Sequence, residues 1–226
     1  MTFQILTCES GTSIAYYKLE GKSPGVIFMG GFMSDMNGSK AIALEEICRE
    51  LGIAYVRFDY LGHGNSSGNF SDGTISIWAG DALAIFDNLT NGPQIIVGSS
   101  MGGWIMMLTA ISRPKRVCGL LGIAAAPDFT EDLLPRELTR VQMAEIQKKG
   151  LIDIPSEYQN PYTITKQLLE DGRQNLLLRK EIPIDCPVRL LHGLKDTSVP
   201  WETALKIQKL LIVYLKIILI KFLMAL

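Results

Sequence analysis

Histidine is nearly absent from this sequence: 226 residues hold two, His63 and His192. That scarcity argues against a zinc site and leaves little choice of imidazole base. Cysteine is sparse too. Cys8, Cys48, Cys118 and Cys186 are widely spaced and form no C-x-x-C pair. A disulfide scaffold is not expected, and the four read as buried, reduced thiols of an intracellular protein. Neither sign of charge dominates, with 22 basic and 23 acidic residues and a net charge of −1. No basic run or acidic tail appears, so neither nucleic acid nor an anionic membrane is an expected partner. The opening MTFQILTCESGTSIAYYKLEG has no charged start, long apolar core, cleavage site or Arg-rich bias. This predicts a cytoplasmic location. Repeats and low-complexity segments are also missing.

What is present is ordinary globular material, 47% apolar and 20% charged, enough for one domain over residues 1–226 with a single large core. Short apolar runs alternate with helical patterns. Strands are expected at Thr12–Lys18, Gly25–Met29, Ala54–Asp59, Gln94–Val97, Gly119–Ala124 and Pro187–His192. Helices are expected at Lys40–Leu51, Thr74–Leu89, Gly103–Ser112 and Trp201–Leu211. That alternation predicts an α/β fold, a mostly parallel sheet flanked by helices. Residues 129–182 break the pattern. They are more polar, read as mostly helical, and predict a cap inserted over the sheet's C-terminal edge. In that segment Met143, Tyr158, Tyr162 and Leu168 either line a pocket or pack the cap onto the sheet.

The stretch GSSMGG fits G-x-S-x-G in one frame, Gly98-Ser-Ser-Met-Gly102. A strand precedes it and a helix follows, the context of a nucleophile elbow. Ser100 is thus the candidate nucleophile, lifted to a helix start where backbone N–H groups point outward. Acyl transfer also needs donors for the developing oxyanion. The N–H of Met101 is one candidate. The loop Met29-Gly-Gly-Phe-Met-Ser-Asp-Met36 offers Phe32 as the second, or else Gly30-Gly31 is a simple turn into the next helix. After the last strand, Asp196 is the candidate acid that orients an imidazole, or else a loop or N-cap residue.

The runs MGGFMSDMNGSKA, RFDYLGHGNSSG, IIVGSSMGGW, GIAAAPDFTEDLL and CPVRLLHGLKD together resemble the α/β-hydrolase superfamily. From Gly25 to about Gln208 the chain is similar to the branch with the mitochondrial acyl-glucuronide esterase / palmitoyl-protein thioesterase and its bacterial homologues. The resemblance implies eight mostly parallel strands with a helical cap. It implies hydrolysis of a small-molecule acyl ester or thioester, and no metal or organic cofactor. It places the nucleophile at Ser100, the acid at Asp196 and the oxyanion donors at Phe32 and Met101.

One member of the triad has no counterpart. The family's histidine follows the acid, whereas His63 and His192 both precede Asp196. His63 lies in Asp59-Tyr-Leu-Gly-His-Gly64, which resembles the family's structural turn, with Asp59 and His63 bonding to backbone. His192 ends an expected buried strand and reads as a satisfied core imidazole. Beyond Leu211 the composition shifts to Ile, Leu and Lys. Lys216–Lys221 still reads as a last strand, and then the chain stops at Leu226. A frameshift or early stop is expected. Leu210–Leu226 falls short of the roughly 20 apolar residues a membrane span requires, and Lys216 and Lys221 interrupt it. An apolar tail of this kind reads instead as an aggregation liability or as the contact of a homodimer. The expectation is a serine hydrolase impaired for want of a base, with a non-catalytic acyl-binding protein as the alternative.

Overall fold

The apolar runs become strands whose side chains alternate between two cores. The computed structural model describes residues 2–8, 11–154, 161–211 and 216–220, the last five as backbone. Its strands are β1 (Gln4–Thr7), β2 (Ser13–Leu19), β3 (Lys22–Met29), β4 (Ile53–Phe58), β5 (Gln94–Ser99), β6 (Val117–Ile123), β7 (Leu151–Ile154), β8 (Tyr162–Thr165), β9 (Val188–Gly193) and β10 (Lys216–Ile220). Along β3, Val26 and Phe28 face one core with Tyr55 and Val97, while Ile27 and Met29 face the other with Ile96. This period of two, apolar on both sides, marks a strand covered on both faces.

The helices are α1 (Ser39–Leu51), α2 (Ile75–Leu89), α3 (Met101–Ser112), α4 (Phe129–Asp132), α5 (Leu134–Glu137), α6 (Arg140–Lys149), α7 (Lys166–Gln174) and α8 (Glu202–Leu210). Their ends follow local chemistry. Thr74 caps α2 by accepting the Ile77 N–H, and Gly52 takes a left-handed conformation to stop α1. Ala41 and Cys48 of α1 pack in the smaller core, and Trp78 and Trp104, of α2 and α3, are fully buried in the larger one.

Eight strands form one sheet in the order β1-β2-β4-β3-β5-β6-β9-β10. β1 and β2 join antiparallel at one edge; the six from β4 to β10 run parallel. The α/β-hydrolase architecture expected from the sequence is therefore present. Parallel strands bring the C-terminal ends of β3, β4, β5, β6 and β9 to one edge, where open α/β sheets place their ligands.

Between β6 and β9 the described residues are mostly helical, as expected, with an added antiparallel hairpin of β7 and β8. Leu151-Ile-Asp-Ile154 alternates exposed and buried residues, a strand signal too short to stand out among helices. The edge strand β1 was not expected either. The cysteines are free thiols, but only Cys48 is buried. Cys118 is exposed where the β5–β6 register skips from Val117 to Gly119 and leaves it unpaired. Tyr158 and the tail at 212–226, apart from the backbone of β10, lie outside the described residues.

Candidate active site

Ser100 sits where β5 turns into α3, with φ 53° and ψ −119°. A non-glycine residue at positive φ is strained and persists only when its surroundings fix it. Here three backbone hydrogen bonds do so. The Ser100 N–H donates to the Ile123 carbonyl at 3.0 Å, and the Ser100 carbonyl accepts from Gly103 at 2.9 Å and from Ala126 at 3.0 Å. The motif glycines supply room. A Cβ on Gly98 would stand 2.3 Å from the Gly102 carbonyl oxygen, and one on Gly102 would stand 2.1 Å from that of Met29. The turn therefore closes only because neither carries a side chain, and it packs directly on the end of β3.

That contact brings the loop after β3 to the serine. A Cβ on Gly31 would lie 3.4 Å from Ser100 Cβ. Among the described residues the N–H groups of Phe32 and Met101 donate no hydrogen bond. Both are half-free in the sense that matters for an anion: Met101 opens α3, where the first N–H groups have no helical acceptor. Three other N–H groups of the loop are tied down. Ser34 N–H donates to the Gly31 carbonyl at 3.2 Å, Met33 N–H to His63 Nε2 at 3.2 Å, and Met36 N–H to Asp59 Oδ1 at 2.6 Å. Asp59 Oδ2 accepts from Asn65 N–H at 2.8 Å, and Arg57 donates to the Met36 carbonyl at 2.8 Å. Asp59 and His63 thus bond to backbone, as their Asp-x-x-Gly-His-Gly setting suggested.

Around the loop stands an aromatic cluster that sequence reading missed. The Phe32 ring centroid is 5.0 Å from Phe70, 5.6 Å from Phe129, 5.9 Å from Trp78 and 5.9 Å from Tyr162. These residues come from four distant segments, so only the fold assembles them. Of the cap residues singled out, Tyr162 joins this cluster and Met143 is half-buried, whereas Leu168 is buried in the core. A cavity of about 150 Å³ opens beside Pro127, Leu133, Leu178 and Pro200, with Asp132, Arg136, Glu202 and Lys206 among its walls.

Asp196 lies in the loop after β9. Its Oδ1 accepts from Ser198 N–H at 3.0 Å and Val199 N–H at 2.9 Å. No hydrogen bond reaches its Oδ2 among the described residues. His192 Nε2 stands 3.8 Å from that atom but is already committed to the Val199 carbonyl at 2.8 Å. A carbonyl only accepts, so Nε2 carries the proton there. His63 is no better placed as a base, since its Nδ1 lies 3.0 Å from the Leu61 carbonyl and its Nε2 takes the Met33 N–H. Burial pushes the His63 pKa down to about 4, against a smaller upward effect of the Leu61 bond. Both histidines of the 226 residues are therefore bonded to backbone groups.

A second carboxylate sits behind this cluster. Asp81 on α2 accepts from Leu61 N–H at 2.8 Å, and burial raises its pKa to about 6 despite that bond. No helix among the described residues is long and apolar enough to cross a membrane. Nor do these residues include a group of three His, Cys, Asp or Glu side chains placed to hold a metal ion.

Residues 25–198 match the serine aminopeptidase, S33, family. The chain is 48% identical over 200 residues to the mitochondrial palmitoyl-protein thioesterase ABHD10 of Bos taurus and 46% identical to that of Homo sapiens. The match covers 86% of this chain and 64% of each of those proteins, so the chain spans a little under two thirds of their length. The structure of mouse alpha/beta hydrolase domain-containing protein 10 superposes with a TM-score of 0.88 at 40% identity, covering 98% of this chain and 89% of that one. A putative hydrolase from Agrobacterium vitis gives 0.91 at 37% identity, covering 97% and 89%. The named location of the curated relatives overturns the cytoplasmic expectation drawn from residues 1–21, because relatives this similar are mitochondrial. Absence of a presequence-like composition was too weak a sign to place the chain. With match, identity and superposition in agreement, the chain belongs to the α/β-hydrolase superfamily, in the branch of the mitochondrial palmitoyl-protein thioesterases and their bacterial homologues.

Proposed function

We propose that this chain is a serine hydrolase of small-molecule carboxylic esters or thioesters, working through an acyl-serine at Ser100. One observation carries the reading. Ser100 stands strained at a helix start beside two backbone N–H groups, of Met101 and Phe32, that have no partner among the described residues. Ser100 Oγ would attack the acyl carbon while its proton passes through solvent to the leaving oxygen or sulfur, and those two groups would hold the resulting oxyanion. Collapse would expel the alcohol or thiol and leave the acyl-serine, which water then hydrolyses. The aromatic cluster around Phe32 offers apolar surface to an acyl chain, with residues 129–182 acting as its cap. A mitochondrial location fits the chain's relatives.

Asp196 is the acid of this reading, its Oδ2 left to accept from a triad histidine, and the 226 residues hold no histidine after it. Turnover by the chain should therefore be impaired. In a serine protease, loss of the histidine costs about 2 × 10⁶ in kcat, while about 10³–10⁴ over water survives from oxyanion stabilisation and binding. The commitment of both histidines also favours a second reading, a non-catalytic acyl-binding protein. Hydrolysis of p-nitrophenyl butyrate by the chain and by Ser100→Ala, with imidazole titrated in, separates the two. A hydrolase shows a slow rate that needs Ser100 and rises with imidazole. Identical rates for the two proteins at every imidazole concentration would leave only acyl binding. Sedimentation of the purified chain tests whether the apolar tail makes it a homodimer.

A further inference from the structure

We propose that His63 is a positioning residue for acyl transfer. Its neutral Nδ1–H tautomer holds the Met33 N–H and so aims the adjacent Phe32 N–H at the substrate's oxyanion. The inference rests on the reading of Ser100 as nucleophile and assigns a specific function to a histidine that is not the base.

The tautomer follows from the partners. The Leu61 carbonyl, 3.0 Å from Nδ1, can only accept, so Nδ1 must donate. A neutral ring then presents a lone pair at Nε2, and the Met33 N–H points to that atom. The opposite tautomer would leave two acceptors facing each other at Nδ1 and two donors at Nε2. An imidazolium would keep the first bond and break the second. Protonation is disfavoured because the ring is buried against Tyr60, Phe70 and Trp78. The carboxylates of this cluster are occupied elsewhere, Asp59 by Met36 and Asn65 N–H, and Asp81 by Leu61 N–H.

The loop needs such a latch. Met33 has φ 54°, in the left-handed region that a methionine rarely occupies, so relaxation would swing the Phe32–Met33 peptide. Phe32 lies between Gly31, which abuts Ser100, and Met33, which His63 grips. Fixing both sides fixes the direction of the N–H between them. The latch is itself anchored. Leu61 O also accepts the Trp78 Nε1–H at 3.1 Å, and Leu61 N–H is held by Asp81, so the His63 turn is tied to α2 at two points.

The test combines a spectrum of the intact chain with two variants. Long-range ¹H–¹⁵N correlation of the wild-type chain should show His63 protonated at Nδ1 and unprotonated at Nε2 at pH 7; the reverse tautomer overturns the proposal. Phenylboronic acid then probes the site, because its tetrahedral Ser100 adduct places an anionic oxygen among the oxyanion donors. His63→Phe retains an aromatic ring but no acceptor, whereas His63→Gln can offer its Oε1 to Met33 N–H. Affinity should fall about tenfold or more in His63→Phe. It should return to near the wild-type value in His63→Gln, with faster amide exchange at Met33 only in the phenylalanine variant. Equal losses in both variants, or no loss in His63→Phe while Ser100→Ala abolishes binding, would defeat the positioning role. If Ser100→Ala binds the boronate as the wild type does, the nucleophile reading fails first, and the positioning role goes with it.

Discussion

A single methyl group is enough to test how the elbow is built. Gly102 packs against the backbone of Met29 and Gly30, at distances no side chain could share. Overpacking usually costs about 1–3 kcal/mol, and backbone neighbours yield less than side-chain tips. Gly102→Ala should therefore lose about 3 kcal/mol or more, a fall in melting temperature of roughly 6–12 °C for a chain of this size. Circular dichroism melts check it, and an unchanged melting temperature would mean the helix start has room that the structure denies. Ser100 was legible from sequence because its constraints are local: glycines two residues either side, an apolar strand before and a helix after. The groups gathered around Phe32 were not, since Phe70, Trp78, Phe129 and Tyr162 carry no local sign of their meeting. His192 was read correctly as a satisfied imidazole, yet its closeness to Asp196 emerges only once the β9 loop folds back.

At the scale of elements, parallel strands and their helices could be read because burial on both faces leaves dense apolar runs. The segment between β6 and β9 could not, because short pieces are held there by long-range polar contacts rather than by periodicity. Asp128 shows how. It is fully buried at φ 60°, and its two oxygens accept the N–H groups of Leu177 and Leu178 at 2.7 and 2.8 Å, with Arg179 at 3.3 Å. One side chain thereby joins the start of α4 to the strand-free chain after α7. Asp128→Ala would strand two buried donors, each worth about 1–3 kcal/mol. A loss of about 2–5 kcal/mol in urea unfolding is expected. Asp128→Asn keeps one acceptor and should fall between the alanine variant and the wild type. Limited proteolysis should find new cleavage between residues 129 and 182 in the alanine variant before the sheet is attacked.

For the molecule as a whole, the two perturbed groups joined through Leu61 set opposing pH responses. His63 has a folded pKa near 4, below its unfolded value, so its contribution is complete above about pH 6.5 and is lost as pH falls toward 4. Asp81 has a folded pKa near 6, above its unfolded value, so its penalty is full above pH 6 and is relieved as pH falls toward 3.8. Each amounts to roughly 3 kcal/mol, and across pH 4–6.5 they offset one another. Asp81→Asn keeps an acceptor for Leu61 N–H and removes the compensation. The variant should be more stable than the wild type at pH 7.5 and lose stability more steeply on acidification. Urea unfolding between pH 4.5 and 7.5 measures both slopes, and parallel curves would show that Asp81 is not the counterweight.

The order of strands has one more consequence. The loop that begins at Gly30 and the elbow that ends at Ser100 leave β3 and β5, which are neighbours in one ladder although α1, β4 and α2 separate them in the chain. Their spacing is thus the interstrand repeat of about 4.8 Å, a constant of every β-sheet rather than a property of these residues. Lengthening the intervening surface loops changes closure entropy only logarithmically and leaves that repeat alone. Such a frame can lose, gain or exchange its outer parts over evolutionary time while the spacing of loop and elbow stays calibrated.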